Sequence, residues 1–447
     1  MSPAENIIIG NAWICQLRNS AVFPVFGDIK VVRGKISEIV EKPFPSFIRS
    51  SSRKKYDLNA GGRIITIPLV NFHDHIYSRL AKGLSITGSM GSFKEILHNL
   101  WWKLDRILDE EMVRASAQMA ALESIKNGVT YIFDHHSSPY FINQSLELIS
   151  GILFENKIRN VACYEISDRN GAASSVKSLL ENKNFAEMGT GDNIKAMLGI
   201  HASFTVSDDT LAEAAEIISE LNLGIHIHLC EDKLDRTSSK EFANDYPVQR
   251  LKKYNLLNDK SILAHGIYLT KNDYAAIEEN GSALVYNFDS NMNNAVGLPD
   301  LINVPEFVPR LVGTDGMNSN ISKAMKTLFL LLRHQGHSFD SAFRVFQKIY
   351  FDQISFIRKY FDDFPSLQKN DRADFIIWDY IPPAPLTADN FWGHFVYGVL
   401  ERSIHTVVQD GRFLLKNFLL LNIDEEKTWM NIYKQGERLS KKFNLPT

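Results

Sequence analysis

Ile64-Ile65-Thr66-Ile67-Pro68-Leu69-Val70-Asn71-Phe72-His73-Asp74-His75 is an apolar β run that ends on two histidines one residue apart. Side chains alternate faces along a strand, so His73 and His75 leave the strand end on one side, where two imidazole nitrogens can hold a metal. Further polar groups follow, each at or just past the end of a later β run: His228 with Glu231, then His265, then Asp315 in Val312-Gly313-Thr314-Asp315-Gly316. These are the parts of a hydrolytic metal site.

Outward from that stretch, β runs alternate with helical patterns, the mark of a parallel sheet built from βα units. Eight strands are predicted: Ile64–Asn71, Val129–Asp134, Asn160–Ile166, Ile194–Ala202, Gly224–Leu229, Ser261–Gly266, Ala283–Asn287 and Pro309–Asp315. Helical spacing of apolar residues predicts outer helices over Asp109–Lys126, Asp208–Leu221 and Ser319–Arg333. Eight such strands close as an α/β fold of the (β/α)8 TIM-barrel type, whose reactive groups lie at the carboxyl ends of the strands. Every candidate ligand falls at such an end.

The flanks read differently. Short strands such as Asn6–Ile9 and Asp28–Val32 open the chain, and a matching set returns in Ala373–Trp378 and His405–Arg412. The expected division is therefore residues 1–65 plus 371–425 as one small β domain, 66–370 as the barrel, and 426–447 as a C-terminal helical extension. Ser50-Ser51-Ser52-Arg53-Lys54-Lys55 reads as a solvated loop.

With 447 residues, 45% hydrophobic and 23% charged, the chain can bury a large core. A net charge of −3 and the lack of a Lys/Arg-rich tract argue against nucleic acid or an anionic membrane as partner. A small neutral molecule suits it better. Met1–Asn6 lacks a basic segment followed by an apolar run, and no segment approaches a membrane span, so a cytoplasmic protein is expected. Cys15, Cys163 and Cys230 are scattered, which fits a reducing compartment.

The spacing His228-Leu229-Cys230-Glu231, with Ala264-His265-Gly266 and Gly313-Thr314-Asp315-Gly316, resembles the amidohydrolase superfamily in its cytosine deaminase, guanine deaminase and triazine hydrolase branch. Trp101–Arg106, Asp134–Pro139, Tyr164–Gly171 and Ser290–Gly297 look like the aminohydrolases of the SsnA group. The likeness spans nearly the whole chain. It implies a composite β-sandwich from the two chain ends and a metal-dependent aminohydrolase acting on a small nitrogen heterocycle, in a homodimer. Three family features are altered: Pro-Gly is Pro68-Leu69, Asn-Pro-x-Ser-Asn is Asn287-Phe288-Asp289-Ser290-Asn291, and the glycine ahead of Ala373-Asp374 is missing. None is a ligand.

His73, His75, His228 and Asp315 form an N/O set suited to one divalent metal, zinc or ferrous iron, with a position left for water. His226 shares a face with His228, and the resemblance selects His228 as the ligand; His226 is expected in the core, hydrogen-bonded. Glu231 is the expected general acid and base, His265 would polarise the attacking water, and Asp315 would also accept its proton. Dinuclear relatives carry a carboxylated lysine near the end of strand four, but Lys195 sits at the opposite end, roughly 20 Å from His201. One metal is expected.

Substrate contacts are expected from His201, Arg169, Trp102, His136 and Asn291. Only one of Trp101 and Trp102, and only one of His135 and His136, should reach the pocket; Asn293 is a further amide near it, and Cys230 should be an inert buried thiol. A cyclic-amide hydrolase that opens a hydantoin-like ring, and a non-catalytic scaffold, are the rival readings. Intact ligands disfavour the scaffold.

Overall fold

The computed structural model describes residues 6–44, 56–189, 191–421 and 423–444. The Ser50–Lys55 loop and Met1–Glu5 lie outside the described residues.

Pro68 divides the opening β run in two. Ile64–Thr66 joins the sheet of the chain ends, beside Trp13 and Ile14 on one edge and Ile376 and Ile377 on the other. Leu69–His75 is the first barrel strand. A proline donates no N–H to a ladder, so the run leaves one sheet and enters another there. This corrects the single strand expected over Ile64–Asn71, and the histidines lie within the strand that follows.

Seven strands follow in ring order: Val129–His136, Arg159–Ile166, Leu198–Ala202, Ile225–Leu229, Ile262–His265, Ala283–Tyr286 and Arg310–Val312. The fourth run is interrupted, with Ile194–Ala196 as a separate short strand. The eighth is interrupted too: Arg310–Val312 pairs with strand seven, whereas Asp315–Gly316 pairs with Asp74 and His75 of strand one. This split strand closes the TIM barrel and sets Asp315 beside the histidine pair. Gly313 is needed at the crossing, because a Cβ there would stand 2.8 Å from the His73 Cβ and 2.5 Å from Asn287 Oδ1.

The first strand shows the expected alternation. Phe72 points outward and stacks on Phe133 at 5.1 Å, while His73 and His75 share the inner side with ring centroids 4.8 Å apart. Helices Glu110–Lys126, Asp208–Leu221 and Ile321–His334 start at side-chain caps from Asp109, Ser207 and Asn320. In the last, Ile321, Ala324, Met325, Leu328, Leu331 and Leu332 are buried at three-and-four spacing, as an outer barrel helix requires.

The two chain ends build one nine-stranded sheet. Ile7–Arg18, Ala21–Val32 and Lys35–Glu41 form an antiparallel meander, and Ile64–Thr66 joins it to Phe375–Trp378, Ile404–Gln409, Arg412–Lys416 and Leu419–Leu420. Helix Glu425–Phe443 then packs back on Glu110–Lys126: Arg438 and Lys442 reach Asp109 Oδ2 at 2.8 and 2.7 Å, and Asn431 reaches Gln118 at 2.9 Å. We propose residues 1–65 with 371–425, 66–370 and 426–447 as the domain boundaries. Among the described residues, no helix is long and apolar enough to cross a membrane.

Candidate metal centre and active site

Four barrel strands deliver five groups to one point at their carboxyl ends. Asp315 Oδ1 lies 3.3 Å from His73 Nε2 and 3.1 Å from His75 Nε2, and His75 Nε2 lies 3.0 Å from His228 Nε2. A tetrahedral zinc with ligand bonds of 2.0–2.1 Å needs donors roughly 3.3 Å apart, so these separations fit a metal. His265 stands at the same centre: one donor atom from each of His73, His228, His265 and Asp315 lies within 4.8 Å of the others. The Nε2 atoms of His73 and His265 are buried without a hydrogen-bond partner. Burying unpaired imidazole nitrogens is costly, and a metal would satisfy them.

A surrounding shell aims these donors. His75 Nδ1–H donates to the His135 carbonyl at 2.7 Å and His228 Nδ1–H to the His201 carbonyl at 3.0 Å, which leaves both Nε2 lone pairs facing inward. His73 Nδ1 meets His226 Nε2 at 2.8 Å, and His265 Nδ1–H donates to Asn291 Oδ1 at 2.7 Å. Ser290 Oγ donates to Asp315 Oδ2 at 2.6 Å.

Burial lowers His73 to about 4 and holds His135, His226 and His228 well below the ordinary histidine range, so these imidazoles are neutral. His75 differs. Burial lowers it as well, but the Asp315 carboxylate outweighs that and raises it to about 9. Asp315 in turn is pushed well down, because the two imidazoles outweigh its burial.

Glu231 reaches the centre from the loop after strand five. Cys230 adopts a left-handed backbone (φ 50°), and its N–H donates to Asp235 Oδ2 at 2.5 Å, which turns Glu231 toward the cavity. Glu231 Oε2 lies 3.6 Å from His265 Nε2, which is 4.0 Å from Asp315 Oδ2. Burial raises the Glu231 carboxyl to about 7 against the opposing pull of His265, so it can both hold and release a proton near neutrality. Burial pushes the Cys230 thiol well up, which leaves it protonated.

A cavity opens above the centre. Phe93, Leu97, Trp101, Trp102 and Phe204 form its apolar wall, and Asp105, Glu165, Arg169, His201 and Asn294 line it as polar groups. His201 Nδ1 is engaged by Thr205 Oγ1 at 2.9 Å. Both tryptophans line the cavity, where only one was expected. Arg169 also lines it: one terminal nitrogen binds Asp105 at 2.9 Å and Glu165, the other has no hydrogen-bond partner, and the guanidinium lies over Trp102 at 5.1 Å.

Two expected contacts do not reach the cavity. His136 is buried and bonded to Ser138 Oγ at 2.7 Å, while His135 sits against the metal cluster, 4.8 Å from the His228 ring. The register of the first two barrel strands slips between Asn71 and Asp74, so face parity does not carry across and could not choose between the two. Asn291 is buried behind His265 and orients it, and its neighbour Asn294 takes the place at the cavity wall. Sequence reasoning missed Asp105 and Glu165, although both lie in segments singled out as resembling one enzyme group. Lys195 lines a cleft with Gly191, Lys260 and Tyr360, away from this centre.

A closed parallel barrel with a candidate His/Asp metal site and an adjoining carboxyl at the strand ends defines a hydrolase of the metal-dependent barrel class. The chain belongs to the amidohydrolase family, whose profile matches residues 64–414, and acts on carbon–nitrogen bonds. It is 26% identical over 380 residues to a 5′-deoxyadenosine deaminase of Methanosphaera stadtmanae, covering 82% of this chain and 86% of that one. An adenosine deaminase from Xanthomonas campestris with bound zinc superimposes with a TM-score of 0.82 at 17% identity, covering 97% and 98% of the two chains. Guanine deaminase of E. coli superimposes with a TM-score of 0.74 at 18% identity, covering 92% and 99%.

Proposed function

We propose that this enzyme is a mononuclear aminohydrolase that releases ammonia from an aminated purine-type ring. One observation carries the reading: the Glu231 carboxyl faces the same cavity as the His73, His75, His228 and Asp315 cluster, one imidazole away from Asp315. Deamination needs such a group, because attack on a ring carbon must be matched by a proton on the adjacent ring nitrogen.

A divalent metal held by His73, His75, His228 and Asp315 would lower the pKa of a bound water to ~7. Asp315 Oδ2 and His265 Nε2, 4.0 Å apart, would take up the proton of the attacking water. Glu231 Oε2 protonates the ring nitrogen next to the carbon under attack, and the proton taken from the water passes to the amino group, which leaves as ammonia. Trp101, Trp102 and Phe204 supply flat apolar surfaces for a planar ring, and His201 faces the substrate from strand four.

The solved neighbour with bound zinc supports zinc as the metal, and the remote position of Lys195 supports one ion. The SsnA-like segments favour an oxopurine, such as guanine or an oxidised guanine, and the deaminase relatives favour an aminated purine in general. Buried thiols at all three cysteines are consistent with the cytoplasm. A homodimer completes the proposal. The test is an ammonia-release screen over guanine, oxidised guanine, adenosine, 5′-deoxyadenosine, triazines and hydantoins, read by mass spectrometry. Ammonia in step with loss of substrate and an intact ring is expected. Water added with the ring opened and no ammonia would replace deamination by cyclic-amide hydrolysis.

A further inference from the structure

A second cleft lies where the sheet of the chain ends meets the amino end of the barrel. Six cations line it: Arg33, Lys35, Lys157, Arg159, Arg372 and Arg412. They come from four separate segments. Arg159 starts barrel strand three, whose other end carries Glu165, so the cleft is roughly 20 Å from the metal centre.

Part of this charge is neutralised within the fold. Arg159 binds Asp363 at 3.0 Å and Asp410 at 3.3 Å, Arg372 binds the same two carboxylates, and Asp374 lies 4.0 and 3.6 Å from the two arginines. Those pairs join the barrel to the sheet. Beyond Asp410, no carboxylate lines the cleft, and among the described residues Arg33, Lys35 and Lys157 make no ion pair. Arg159 is almost fully buried, yet its Nε has no partner. Placing further cations around an already basic wall costs self-repulsion unless an anion offsets it.

The backbone holds the cleft in shape. The Arg33-Gly34 and Asp410-Gly411 turns abut: Gly34 accepts from Ala373 N–H at 2.9 Å, Ala373 accepts from Gly411 N–H at 3.0 Å, and a Cβ on Gly411 would stand 2.8 Å from the Gly34 Cα. Arg33 and Asp410 both adopt left-handed backbone, with φ of 51° and 50°. A bulky residue such as arginine is rare in that conformation, and here it aims a guanidinium beside the cleft.

We propose that this cleft binds a small phosphate-bearing anion, and that the anion bridges the sheet of the chain ends to the barrel. Arginine forks and lysine ammonium groups are the usual partners of phosphate oxygens. Phe154 lines the cleft too, with the Lys157 ammonium over its ring at 5.3 Å.

Titration calorimetry and thermal unfolding of the full-length enzyme with inorganic pyrophosphate test this, with ADP as a second arm. Lys35→Ala/Lys157→Ala removes two cations that make no ion pair, and Lys94→Ala/Lys427→Ala serves as a control elsewhere on the surface. Pyrophosphate should raise the melting temperature of the parent and the control, and the first double variant should weaken binding about tenfold or more. Tighter binding of ADP than of pyrophosphate would assign the site to a nucleotide; equal binding would assign it to the phosphate groups alone. Absence of binding at low salt, or equal weakening in both double variants, would overturn the proposal.

Discussion

His226 Nε2 lies 2.8 Å from His73 Nδ1, so a buried histidine two residues before His228 on strand five reaches across the barrel and fixes the ring of a candidate ligand on strand one. Outer partners of this kind set tautomer and ring orientation. His226→Ala should therefore weaken zinc binding roughly 10- to 100-fold without removing any donor of the cluster, as read by competition with a chelator. Unchanged zinc affinity would reduce His226 to a packing residue.

Purified enzyme should carry close to one equivalent of zinc or iron. His73→Ala or Asp315→Ala should lower that occupancy, because each removes a donor from the proposed ligand set. Elemental analysis that finds two equivalents would contradict the mononuclear reading. Chelation should abolish turnover, and added zinc should restore it.

Glu231→Gln preserves shape and removes the proton carrier. Turnover should fall by at least about 100-fold while metal content holds. Near-parent turnover would mean that another group moves the proton, and loss of the metal would make Glu231 a ligand.

Arg169 joins two buried carboxylates, Asp105 and Glu165. Burial outweighs the Arg169 charge and raises Asp105 to about 7. Arg169→Ala should cost about 3–5 kcal/mol in urea unfolding, because it leaves buried acids without their counter-charge. A variant with parent stability and only a raised KM would instead restore Arg169 as a direct substrate contact.

Asp109 caps helix Glu110–Lys126 through Met112 N–H at 3.1 Å and also holds Lys442 and Arg438 of the C-terminal helix. Partial burial raises its carboxyl, but Lys442 and the capped N–H outweigh that and bring it below its ordinary 3.8. A depressed carboxylate stabilises above the unfolded value and loses that contribution as pH falls through the folded one. Asp109→Ala should cost about 1 kcal/mol at neutral pH, and the gap from the parent should close as pH drops below 3.8.

Much of this enzyme is legible in the chain itself, because the relevant information is local. Alternation of β and helical periods reveals the barrel, and the spacings His73-x-His75 and His228-x-x-Glu231 mark strand ends that must converge once a barrel closes. Only the tertiary structure decided the rest. Pro68 passes a strand from one sheet to another, and His135 rather than His136 packs against the metal cluster. Arg169 is claimed by Asp105, which is 64 residues away, and six cations from four segments meet in a cleft that no basic tract announces. Spacing within one element survives folding unchanged, whereas the partners of a side chain depend on which distant segments pack against it.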